Sequence, residues 1–122
     1  MKLTTADVAR FVGGQIEVQN NSEGYLYRGE IAEISVDEAK KSLNVRLAWM
    51  AKMGDDEWVK DEELNYAASF EIYSASDIGP GETGGNRIHL SCWINHESTT
   101  LFPPDGSKLD RSKVKGLDPV PA

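Results

Sequence analysis

Along most of this chain, apolar and polar residues alternate with a period of two, the mark of half-buried strands. Ile16 and Val18 alternate with Gln15, Glu17 and Gln19, and Leu43, Val45, Leu47 and Trp49 alternate with Asn44, Arg46, Ala48 and Met50. Leu64, Tyr66, Ala68, Phe70 and Ile72 alternate in the same way with Asn65, Ala67, Ser69, Glu71 and Tyr73. From residue 87 the pattern sets Ile88, Leu90, Cys92 and Ile94 on one face and Arg87, His89, Ser91 and Trp93 on the other. The run Tyr25 to Val36 changes phase: Tyr25, Tyr27 and Ile31 are odd-numbered, Ala32, Ile34 and Val36 even. A β-bulge produces such a slip, and Gly29 is a natural place for the bend.

A helical period is clear only near the start. Thr4-x-x-Asp7 is a variant of the capping box, Val8, Phe11 and Val12 follow on one face, and Gly13-Gly14 supply a stop. A short helix at about 5–12 is expected, and its apolar face must dock on the strands. Segment 37–53 carries both periods, because Ala39, Leu43, Leu47 and Met50 also sit at helical spacing behind Asp37. The regular alternation of β-branched and aromatic positions favours a strand, with Asp37–Ser42 as the turn of a hairpin.

About six strands with short links predict a mostly β fold: a small single-domain barrel or a compact antiparallel sheet with a short N-terminal helix. An α+β fold is the alternative if 37–53 is helical. The stretch Tyr27 to Ile34, a polar turn and Asn44 to Trp49 resemble the bent hairpin of SH3-like barrels. That resemblance implies a barrel and no particular activity. Residues 1–107 read as one β-rich domain and 108–122 as a basic, partly ordered tail.

The 122 residues carry a net charge of −7. Residues 1–107 hold nine basic against 18 acidic side chains, whereas 108–122 hold four against two. So acidic a body repels phosphate backbones, which disfavours nucleic acid as a partner. The single cysteine, Cys92, allows no intramolecular disulfide and suits a reducing cytoplasm. No apolar h-region follows Lys2 and no apolar run approaches a membrane span, so neither a signal peptide nor a membrane partner is expected.

Most candidate chemistry fails on geometry. Gly79-Pro80-Gly81-Glu82-Thr83-Gly84 matches G-x-G-x-x-G, but strands flank it on both sides, Pro80 lacks an amide donor and Glu82 opposes an anion. His89 and Cys92 project from opposite faces, and Cys92 and His96 stand about 13 Å apart along a strand, too far for one zinc or for a nucleophile pair. The acidic run Asp55–Glu63 lacks an EF-hand ladder. No metal or cofactor is therefore expected.

Large aromatics on a polar face beside Arg and His form a better candidate: Trp93, Tyr73, His89 and Arg87. The expectation is a non-catalytic binding module for a protein, peptide or small ligand. One alternative is a small enzyme with His89 or His96 as acid/base. Another is a nucleic-acid-associated barrel using Arg28, Arg46, Arg87 and the basic tail. An exposed edge strand would also let a second copy pair as a homodimer.

Overall fold

The computed structural model describes residues 3–20, 22–70, 72–76, 87–92, 96–106 and 108–117, with 72–76 described by backbone alone. The alternating segments form β1 (Gln15–Asn20), β2 (Tyr25–Asp37), β3 (Ser42–Met53), β4 (Trp58–Asp61), β5 (Asn65–Ser69), β6 (Ile72–Ser76), β7 (Arg87–Cys92), β8 (Glu97–Phe102) and β9 (Val114–Lys115). Segment 37–53 is thus a turn and a strand, not a helix. The N-terminal helix α1 (Thr5–Val8) continues as a 3₁₀ turn over Ala9–Phe11. The Thr4 hydroxyl accepts from the Asp7 N–H, and the Asp7 carboxylate accepts from the Thr4 N–H, so both halves of the capping box are made. Val8 and Phe11 are fully buried, but Val12 is exposed because the chain leaves the helix there for extended backbone.

The strands form one sheet in the order β6-β7-β8-β1-β2-β3-β4-β9, with β5 also paired to β3. Every pairing is antiparallel except the two-residue parallel contact of β9 with β4. The fold is therefore mostly β. The expected closed barrel is not formed by this ladder, which is an open path. The single strand expected over 64–75 is two: β5 lies on β3 and β6 lies on β7.

One core nonetheless collects side chains from β1, β2, β3, β5, β7 and β8, including Ile16, Ile31, Leu43, Leu47, Leu90 and Leu101, with Val8 and Phe11 from the helical segment. A flat sheet this wide could not bury one face under a single four-residue helix, so the sheet curls over its own face. A cross-strand contact measures the curl. The Tyr66 hydroxyl on β5 donates to Glu97 Oε1 on β8 at 2.5 Å, although four strand spacings, about 19 Å, separate these strands along the ladder.

The β2–β3 hairpin contains two compensating bulges. Glu30 pairs with Trp49, Ile31 with Leu47 and Glu33 with Arg46, leaving Ala48 and then Ala32 without a partner. The phase change thus falls at Ala32, not at Gly29. Gly29 has a different role: a Cβ there would lie 2.7 Å from the Trp49 carbonyl oxygen, so only glycine admits the β3 backbone so closely. The slip at Ala48 also overturns the expected grouping of Leu47 with Trp49. Met50 joins the main core, whereas Trp49 turns to the outer face.

Candidate binding face on the outer sheet

The registers place five side chains in a row across the outer face: Arg87 beside Phe102, then Gln15, Glu30 and Trp49, from β7 to β3. The neighbouring row runs His89, Thr100, Glu17, Arg28 and Ala51. Residues at paired positions share a face, and these positions alternate with the core residues Ile16, Ile88, Leu101 and Met50.

At one end, the Phe102 ring is a platform for two cations. The Arg28 guanidinium lies 4.3 Å and that of Arg87 5.5 Å from the ring centroid, both within cation–π range. Arg28 is buried, which pulls its pKa down, and its salt bridge to Glu17 at 3.0 Å works against that fall. Arg87 is half-buried and makes no ion pair among the described residues, and its buried Nε has no hydrogen-bond partner. His89 Nδ1 and Thr100 Oγ1 are hydrogen-bonded at 3.1 Å.

At the other end, the C-terminal segment covers the face. Gln15 is only 3 % exposed and holds the Leu109 backbone twice: its Nε2 donates to the Leu109 carbonyl at 2.9 Å, and its Oε1 accepts from the Leu109 N–H at 2.8 Å. A 3₁₀ turn over Arg111–Lys113 follows, capped by the Asp110 carboxylate accepting from the Ser112 N–H, a bond that lowers the Asp110 pKa. Val114, Leu109 and Leu117 then pack with Trp49, Ala51 and Trp58 in a second, smaller core. Between this segment and the sheet lies an open cleft of about 340 Å³, lined by Gln15, Glu30, Trp49 and residues 108–111.

The residues singled out in the sequence divide among these features. Arg87 and His89 stand together on the outer face. Tyr73 pairs with Leu90 in the β6–β7 ladder, while Ser74 and Ser76 pair with His89 and Arg87. Its backbone register position is therefore on the core-facing side, the opposite parity to that of β5, where the even-numbered Ala68 is buried. Trp93, and the glycine-rich string at 79–84, lie outside the described residues. Cys92 is buried on the core side of β7, and His96 is an exposed turn residue with φ of 56°. Among the described residues, no three His, Cys, Asp or Glu side chains gather as a metal site.

Sequence reasoning missed Gln15, Glu30, Trp49 and residues 108–111. One usable signal was Trp49-Met50-Ala51, three consecutive apolar residues that no single strand face can hold. A second concavity of about 460 Å³ lies over β2, β3 and β5, floored by Ser35, Asn44, Asn65 and Ala67 beside the Arg46–Glu33 ion pair at 2.8 Å. No histidine lines either concavity. No helix among the described residues is long and apolar enough to cross a membrane. Comparison with known protein families, with curated proteins and with solved structures finds no match for this chain.

Proposed function

We propose that this chain is a non-catalytic binding module, and that the outer face around Arg87 and His89 receives a protein, peptide or small ligand through an acidic group. The observation that carries this reading is Arg87: half-buried against Phe102, charged, and without an ion-pair partner among the described residues. A cation held on an aromatic ring is pre-organised, so a carboxylate gains the attraction with little loss of side-chain entropy. His89, beside it on the same strand, adds a second polar contact. Trp93 belongs to the same proposal as a flanking contact, whereas Tyr73, whose register position pairs with the core residue Leu90, drops out of it.

The finer fold reading is also a proposal: a small barrel in the manner of SH3-like domains, closed between β5 on β3 and β6 on β7. A cytoplasmic address rests on the single cysteine alone. Nucleic acid is a weaker reading, because Arg28 and Arg46 are already paired with Glu17 and Glu33. The acid/base-enzyme reading gains nothing, since His89 bonds a threonine hydroxyl rather than a carboxylate.

The test is a titration of isotopically labelled protein with short acidic, basic and apolar peptides and with a DNA oligonucleotide, followed by NMR. Acidic peptides are expected to move the amides of 87–92 and 98–102, and Arg87→Ala to abolish the shifts. Movement by DNA alone, or acidic-peptide binding indifferent to Arg87→Ala, would overturn the reading.

A further inference from the structure

The cleft under the C-terminal segment has its own chemistry, four strand spacings, about 19 Å, along the row from Arg87. Its walls hold three groups without partners among the described residues. Trp49, only 4 % exposed, has a buried indole N–H that donates to nothing. Glu30, its direct cross-strand neighbour, is a half-buried carboxylate with no hydrogen bond or ion pair. Lys108, at the rim, is an ammonium with no ion pair. Among the other polar walls, Gln15 is committed to the Leu109 backbone and Asp110 to the Ser112 N–H. A buried donor left unmade is costly, and a carboxylate beside it needs a donor in turn.

We propose that this cleft binds a small zwitterion, a free α-amino acid or a dipeptide. The ligand carboxylate takes the Trp49 indole N–H and the Lys108 ammonium, and the ligand ammonium takes the Glu30 carboxylate. The unpaired charges of the cleft match such a ligand: among the described residues Glu30 and Lys108 supply one of each sign, so neither a simple anion nor a simple cation is favoured throughout. Its volume, about 340 Å³, lies at the small end of ligand sites and suits a molecule of amino-acid size. This inference stands independently of the Arg87 reading.

The experiment titrates the full chain with L-alanine, L-alanyl-L-alanine, acetate and ethylammonium, watching the Trp49 Nε1–H resonance, which Trp49→Phe identifies among the three tryptophans. A saturable shift is expected with alanine or the dipeptide, and the one that binds more tightly names the source. Acetate and ethylammonium should each bind at least about tenfold more weakly than the better zwitterion, and Glu30→Gln should weaken that zwitterion by a similar factor. Arg87→Ala should leave it unchanged. No shift with either zwitterion would mean that water alone satisfies the indole and would overturn the proposal. Acetate binding as well as alanine, or indifference to Glu30→Gln, would overturn it equally, by reducing the cleft to an anion site. Because Glu30→Gln keeps the shape of the side chain, it separates loss of charge from loss of folding.

Discussion

Two glycines with the same composition signal carry opposite constraints. Gly24 closes the β1–β2 turn at φ +75° with nothing within 4 Å of a would-be Cβ, so its demand is conformational. Gly29 has ordinary strand backbone, but a Cβ there would strike the Trp49 carbonyl oxygen. Asparagine enters the left-handed region readily and should be nearly neutral at position 24, while alanine there should cost about 1–2 kcal/mol. At position 29 neither substitution escapes the clash, and each should cost about 1–3 kcal/mol or displace β3. Urea unfolding of the four variants separates the two cases: a Gly29→Asn as stable as Gly24→Asn would refute the close approach as the reason for Gly29.

At the scale of elements, one side chain supplies the polar anchor of the C-terminal segment. Gln15 satisfies both backbone groups of Leu109, and from that anchor the chain runs to the apolar contacts of Val114 and Leu117 on Trp49 and Trp58. Gln15→Ala leaves the Leu109 N–H and carbonyl without partners and should cost about 1–3 kcal/mol. The same variant should shift tryptophan emission to longer wavelength and open 108–117 to proteolysis, because Trp49 loses its cover. Unchanged emission and protection would show that the apolar contacts alone hold the segment. None of this was legible locally, since Gln15 looks like any outward polar residue of an alternating strand. The separation of β5 from β6 was equally hidden, because the alternation runs unbroken from Leu64 to Ile72 while the pairing partner changes.

For the whole molecule, the decisive feature is the curl that brings β5 against β8. Glu97 accepts from Tyr66 on one oxygen and from Tyr25 on the other, the latter at 2.7 Å, while Asn20 Nδ2 donates to the Tyr25 hydroxyl. Thr99, buried beside them, bonds the Tyr66 hydroxyl at 3.0 Å. Burial first, and the bond to Glu97 second, raise the Tyr66 pKa above its ordinary value of 10.0. The native state therefore keeps Tyr66 protonated where the unfolded chain ionises. That contribution to stability is complete below about pH 10 and is lost as pH rises beyond it. Tyr66→Phe should cost about 1–3 kcal/mol at neutral pH and lose less further stability than wild type between about pH 9 and 11. Equal losses in both proteins across that range of denaturant titrations would show that Tyr66 is not the alkaline-sensitive strut.

The sequence by itself determined the class of structure. Alternation at 15–19, 43–47, 66–70 and 87–92 set which side chains face inward, although Leu64, on the same parity, is exposed; the Thr4–Asp7 box set where the helix begins. Both are properties of neighbours in the chain. It also placed Arg87 and His89 on one face. The face of Trp49, the register position of Tyr73, the docking of residues 108–117 and the cleft beside Glu30 were decided only by tertiary structure. Each depends on a bulge, a strand break or a pairing between distant segments, and a shift of one residue reverses every side chain beyond it.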